Sequence, residues 1–183
     1  MSELTPEAAT KVLSEVFPEG LTQDFVDPRL IVKHINLKLL EDGDLPDDVV
    51  GEIVCGKEGV VIKINPRNNY YEPRRNFTIA HELGHYFMHL NDSCEEFVDN
   101  RKTMNRTTSF WDKKESEAND FAANLLMPVS LIVRNGKRII DDYKKENNAS
   151  PMPQKEFVIQ LSNVLKVSRE SLGFRLKNLG IIK

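Results

Sequence analysis

His81, Glu82 and His85 stand in the spacing His-Glu-x-x-His, within Phe77-Thr78-Ile79-Ala80-His81-Glu82-Leu83-Gly84-His85-Tyr86-Phe87-Met88. On a helix, residues four apart lie on one face, about one turn (a pitch of about 5.4 Å) apart. Both imidazoles can then reach one metal ion, and Glu82 projects beside them. A carboxylate so placed can take a proton from the water that the ion activates, and return it to a leaving amine. The chemistry these residues suit is metal-assisted hydrolysis of a peptide bond.

A catalytic zinc ion takes three protein ligands and keeps one position open. His89, four residues beyond His85, is a poor third. From His81 to His89 an unbroken helix rises about 12 Å and turns by about 80°. Metal–nitrogen bonds of about 2.0 Å cannot close that span around one ion. His89 is left a supporting, substrate-side or structural role. The stretch Glu115-Ser116-Glu117-Ala118-Asn119 is the better source. Glu115 can bind the metal, and Asn119, on the same face, offers an amide oxygen to the far nitrogen of a ligating histidine. Glu117 lies about 200° around the helix from Glu115 and is expected to point elsewhere. The expected metal ligands are therefore His81, His85 and Glu115, with Glu82 as catalytic base and acid. Two imidazoles and a carboxylate suit Zn2+, and manganese or iron could occupy the same donors. Tyr70, Tyr71, Arg74, Arg75 and Tyr86 have the chemistry to steady an oxyanion.

Several elements must position these groups. Thr5-Pro6-Glu7 and Asp27-Pro28 are helix-start signals. The first predicts a helix to about Val16, the second a shorter one carrying Leu30, Ile31 and Ile35. Asn36 to Leu40, Val49 to Cys55 and Val60 to Ile64 predict three strands, the last two joined by the turn Gly56-Lys57-Glu58-Gly59. Phe77, Ala80, Leu83, Gly84 and Phe87 share helical spacing, so the active helix, 77–90, turns one face to the core. The polar stretch from Asn91 to Ser109 reads as a loop or short irregular helix. The third-ligand helix, 112–126, packs through Ala118, Phe121, Ala122 and Leu125 and stops at Met127-Pro128. Helices follow at Lys137 to Asn147, Gln154 to Leu165 and Arg169 to Leu179, with Ser168 capping the last. The expected fold is α+β: a mainly helical core with a small three-stranded antiparallel sheet and a C-terminal helical tail. Residues 1–128 form the catalytic core and 129–183 the C-terminal helical subdomain.

The chain has 183 residues, 28 acidic and 25 basic, a formal net charge of -3. That balance argues against a general nucleic-acid or membrane binder. No apolar run approaches the roughly 18 residues of a membrane span. No signal segment is visible, and the two cysteines, Cys55 and Cys94, read as thiols of a reducing compartment. A cytoplasmic protein is expected. An exposed edge of the small sheet could hold an extended peptide by strand addition.

The run Arg75-Asn76-Phe77-Thr78-Ile79-Ala80-His81-Glu82-Leu83-Gly84-His85-Tyr86 resembles the ImmA/IrrE metallo-endopeptidases. So does Glu115 to Asn119 followed by Phe121-Ala122-Ala123-Asn124-Leu125-Leu126-Met127-Pro128. Ile64-Asn65 is similar to that family's strand end before the active helix, and Val167 to Gly180 to its C-terminal helices. Asn76 departs from the pattern, where the family more often has arginine or another residue. The resemblance implies a zincin-like, gluzincin-type site with His81, His85 and Glu115 as ligands and Glu82 as acid/base. It implies a bacterial, phage or mobile-element protein. The implied substrate is a helix-turn-helix repressor, which it cleaves or otherwise inactivates, in some relatives within toxin–antitoxin-like pairs.

Two other readings compete. The pair of helices around Lys166-Val167-Ser168 is similar to a helix-turn-helix, with Lys166, Arg169, Arg175 and Lys177 basic, which would make the protein a DNA-binding regulator. Leu172, Leu176 and Leu179 commit one face of that pair to the core, and four basic residues on an acidic chain leave a weak electrostatic footprint, so direct nucleic-acid binding is disfavoured. Alternatively the protein sequesters its repressor without cleaving it.

Overall fold

The computed structural model describes residues 4–56, 59–90, 97–100, 113–148 and 150–183. Helix α1 (Leu4–Val16) buries Ala9, Val12 and Leu13, the i, i+3, i+4 face expected of a helix lying on a core. Helix α2 (Pro28–His34) starts as its Asp-Pro pair predicts. The Asp27 carboxylate accepts a hydrogen bond from the Arg29 backbone N–H at 3.0 Å, and Pro28 occupies the first turn.

Strands β1 (Lys38–Glu41), β2 (Val49–Gly56), β3 (Gly59–Ile64) and β4 (Phe97–Asn100) form one sheet in the order β1-β3-β2-β4. The β-branched runs of β2 and β3 make the expected antiparallel hairpin, with Ile53 opposite Ile62. Lys57 and Glu58, the middle of its turn, lie outside the described residues. In two details the sheet departs from three antiparallel strands. β1 pairs parallel to β3, because β3 folds back into the place between β1 and β2. A fourth strand, β4, pairs antiparallel to β2. Phe97-Val98-Asp99-Asn100 is too short to show a period of two, so main-chain pairing defines it. The rest of the 91–109 stretch, and Asp112, lie outside the described residues.

The two site helices follow. Helix α3 (Glu72–Met88) begins before Phe77, with Pro73 in its first turn, where proline costs no hydrogen bond. Helix α4 (Lys113–Leu126) is followed by α5 (Val129–Glu146), which starts well before Lys137 because Pro128 caps it, with φ -63° already suited to a helix entry. Helices α6 (Gln154–Leu165) and α7 (Arg169–Asn178) complete the fold. Ser168 caps α7, its hydroxyl accepting from the Ser171 N–H at 3.0 Å.

One cluster of buried apolar side chains joins Val12, Ile53, Ile62, Ile79, Leu83, Phe121 and Leu125 to Leu161, Leu172 and Leu176 of the last two helices. Each such side chain contributes roughly 1.5–3 kcal/mol of burial. Polar ties reinforce that union. Buried Asn76 donates to the Lys166 carbonyl at 3.2 Å and accepts from the Arg29 guanidinium at 3.2 Å. The departure from the family pattern at position 76 thus links α2, α3 and the α6–α7 turn. Cys55 is disulfide-bonded, so the expectation of two thiols does not hold, and Cys94 lies outside the described residues. Among the described residues no helix is long and apolar enough to cross a membrane.

Candidate metal centre and active site

Helix α3 buries one continuous stretch from Thr78 to His85, with His81, Glu82 and His85 fully inaccessible. Its contact with α4 is intimate. A Cβ on Gly84 would lie 2.9 Å from Ala118 Cα and 3.0 Å from the Ala118 carbonyl oxygen. The glycine between the histidines and the alanine three residues after Glu115 let the two backbones approach. Phe87 stacks on Phe121 one turn further along, with ring centroids 5.8 Å apart.

That approach brings His81, His85 and Glu115 together. His81 Nε2 and His85 Nε2 are 3.1 Å apart. Glu115 Oε2 lies 3.3 Å from the first and Oε1 3.3 Å from the second. One ligand atom from each residue falls within 4.8 Å of the others. Ligands 2.0–2.1 Å from a tetrahedral ion are separated by about 3.3–3.4 Å. The nitrogens and carboxylate therefore have both the donor chemistry and the spacing of a divalent metal site.

Glu82 faces the sheet. A Cβ on Gly51 of β2 would fall 2.5 Å from Glu82 Oε1 and 2.8 Å from Thr78 Cγ2. Gly51 is thus the floor on which the Glu82 carboxylate rests. That strand is held by a buried asparagine cluster. The side-chain amide of Asn65 donates to the carbonyls of Pro46 and Val49, that of Asn68 to Val49, and that of Asn69 to Val50. Thr78 donates to Asn69 Oδ1 at 2.6 Å, which ties the same cluster to α3. Residues 65–69 read in the sequence as a plain loop, and neither the cluster nor Gly51 was visible there. The signal was three asparagines in five positions after a strand.

Behind His85 a second chain of contacts runs outward. His85 Nδ1 and His89 Nδ1 are 3.1 Å apart, and His89 Nε2 is 3.1 Å from Glu117 Oε2. His89 caps the end of α3 and lies outside the group His81, His85 and Glu115 that could hold a metal ion. Glu117 does point away from Glu115, yet its target is His89. The hydrogen bond from His89 holds the Glu117 carboxyl below its ordinary range, and burial holds the His89 ring below its own. An ionised carboxylate only accepts, so His89 Nε2 carries the proton and its Nδ1 is an acceptor. His85 Nδ1–H then donates to it, which leaves the His85 Nε2 lone pair facing His81 and Glu115. The i, i+4 spacing of His85 and His89 was the available signal. Asn119 behaves otherwise than expected: it is buried, but among the described residues its Oδ1 accepts no hydrogen bond.

The oxyanion candidates disperse. Tyr70 is exposed, Arg75 pairs with Glu41 at 3.6 Å, and Tyr86 packs on Phe87. Tyr71 and Arg74 line a cavity beside the site.

The family model for Peptidase M78, the IrrE N-terminal-like domain, matches residues 51–177 of the 183. The chain belongs to this family. The match takes in Gly51, α3 and α4, and with them His81, Glu82, His85 and Glu115. A search of curated proteins returned no match. Membership makes the M78 chain a member of a metallopeptidase family, for which a metal cofactor and a protein substrate follow.

The relation of α3 to α4 can be tested through Gly84. In this M78 chain, Gly84→Ala gains helix propensity of about 1 kcal/mol but must push Ala118 backbone away, at an overpacking cost of about 1–3 kcal/mol. The expected result is a metal-free melting temperature changed by only a few degrees, with metal affinity reduced because His85 and Glu115 separate. Calorimetric titration with Zn2+ measures it. Unchanged affinity would show that the helices need not be this close.

A second test addresses the outward chain. His89→Ala removes the acceptor that orients His85, and partners of this kind are worth about 10–100-fold in metal affinity. His89→Asn, which keeps an acceptor near the same place, should recover part of the loss. Competition with a chromophoric chelator reads both.

Proposed function

We propose that the protein is a metal-dependent endopeptidase in which His81, His85 and Glu115 hold the ion and Glu82 moves the proton. The observation that carries this reading is the convergence of two imidazole nitrogens and one carboxylate, 3.1–3.3 Å apart, beside a buried glutamate on the same helix. The two nitrogens and one oxygen favour Zn2+, with Mn2+ or iron as alternatives. A bound divalent ion supplies Lewis-acid polarisation of the scissile carbonyl and lowers the pKa of the attacking water. Glu82 takes the proton from that water and delivers it to the leaving amine. Gly51 fixes where its carboxylate sits. His89 and Glu117 keep His85 in the tautomer with a bare Nε2.

The substrate in this reading is a helix-turn-helix transcriptional repressor, as the resemblance to ImmA/IrrE peptidases implies, and cleavage relieves repression. Residues 1–128 supply the catalysis and 129–183 a C-terminal helical part that shares its core. Two of the four basic residues that suggested DNA binding are engaged by groups of this chain. Lys166 Nζ lies 3.4 Å from Glu72 Oε2, and Arg175 Nε donates to the Met127 carbonyl at 3.3 Å.

The experiment is incubation of the purified protein with the repressor encoded nearest its own gene. Zn2+-loaded protein should cut the repressor at a defined bond, and chelator-stripped protein should not. Relief of operator binding with the repressor intact would replace proteolysis by sequestration.

A further inference from the structure

Between the start of α3, the second half of α4 and α7 lies a cavity of about 240 Å³. Phe77 in its wall stacks on His81, with ring centroids 6.5 Å apart. Asn119, also in its wall, is one turn beyond Glu115 on α4. The cavity therefore lies next to this group of residues, toward the start of α3 and the end of α4. An extended peptide rises about 3.3 Å per residue, so a chain cleaved at the cluster has the side chain of a residue next to the scissile bond within reach of this opening.

The lining defines what fits. Phe77, Ala123, Met127 and Phe174 supply apolar surface, and Met127 and Ala123 are buried. Phe174 is a large apolar residue left 47% exposed at this wall. The charged groups in the lining balance, Arg74 and Arg175 against Asp120 and Glu170, which gives no net preference for an ion. Arg175 is in addition tied to the Met127 carbonyl. Asn119, largely buried, adds a polar side chain to the lining. An apolar cavity of about 150 Å³ suffices for benzene, so this one has room for a leucine, methionine or phenylalanine side chain.

We propose that this cavity is the specificity pocket of the peptidase, taking a large apolar side chain of the polypeptide substrate adjacent to the cleaved bond, with α7 as its outer wall. The inference rests on the proteolytic reading for its place in catalysis, and gives the C-terminal helix a part in substrate choice. Filling the pocket from α4 should alter which bonds are cut without touching a ligand.

The test has two arms. In the first, Zn2+-loaded wild type and Ala123→Leu digest a set of peptides that differ only in the residues flanking one bond. Wild type should prefer leucine, methionine or phenylalanine over alanine at one fixed flanking position. In Ala123→Leu the ratio of kcat/KM for the leucine peptide to that for the alanine peptide should fall about 10–100-fold. Phe174→Ala, at a half-exposed position that can be truncated without opening the core, should lower the same ratio and serves if Ala123→Leu does not fold. An unselective wild type, or ratios unchanged in both variants, would overturn the proposal. The second arm needs no cleavage. The 13C-methyl resonance of Met127 is followed while N-acetyl-leucinamide or N-acetyl-glycinamide is added. The leucine compound should shift it and the glycine compound should not. If peptides are not cut but the shift occurs, the pocket stands and the proteolytic reading fails; if no shift occurs with either, the pocket itself is refuted.

Discussion

Glu82→Gln is expected to lower kcat by about 10²–10⁴-fold, the range that a positioned general acid–base supplies, while leaving metal binding intact. The substitution keeps the shape of a fully buried side chain and removes its ability to take a proton. His81, His85 and Glu115 are untouched, so the Zn2+ content and the chelator-competition curve should match wild type within a few-fold. KM for a peptide substrate should change little, because the loss falls on a step after binding. Metal-free Glu82→Gln protein should melt no lower than wild type, since a buried carboxylate is replaced by a neutral amide of the same size. Comparable turnover by the variant and wild type would remove Glu82 from the mechanism and leave the proton to another group. Loss of metal from the variant would instead make Glu82 a ligand.

What the sequence made legible follows from how locally each feature is encoded. His81, Glu82 and His85 lie within five residues on one helix, and helix periodicity alone brings the two imidazoles to one side. Glu115 required a second helix, yet α4 announces itself through Ala118, Phe121, Ala122 and Leu125, and the two helices meet through Gly84 and Ala118. The mainly helical α+β class followed from the same patterns. Other features depend on non-local pairing. β4 is four residues without usable alternation, and its position beside β2 is a matter of main-chain bonds. The parallel alignment of β1 depends on strand order, which no local pattern records. Glu117 was judged by its angle from Glu115, but the relevant partner was His89 at the end of the other helix. Asn119 was assigned to a ligating histidine by spacing. The far nitrogen of His85 is instead engaged by His89, a contact set by where α3 ends.

Gly51→Ala is expected to impair catalysis nearly as much as removing the base, from a strand that holds no ligand. The added Cβ would sit 2.5 Å from Glu82 Oε1 and 2.8 Å from Thr78 Cγ2, both well inside contact distance. Three groups could yield. The strand is the least able, because Asn65, Asn68 and Asn69 bind the carbonyls of Val49 and Val50 and β2 is paired on both sides. Thr78 is held by its 2.6 Å hydrogen bond to Asn69 and by burial. The carboxylate of Glu82, at the end of a flexible side chain, is the group that moves. A displacement of about 1 Å at a catalytic group costs on the order of 10²-fold in rate. The variant should therefore show kcat lowered about 10²-fold, with metal affinity close to wild type because the atoms nearest the added Cβ belong to Glu82 and Thr78 and not to His81, His85 or Glu115. Gly51→Val should be worse and also lower the melting temperature, as the larger side chain must displace Thr78 as well. Combining Gly51→Ala with Glu82→Gln supplies the decisive comparison. If Gly51 acts through Glu82, the double variant should be no slower than Glu82→Gln alone. Fully additive losses would mean that the strand contributes to the site by a separate route.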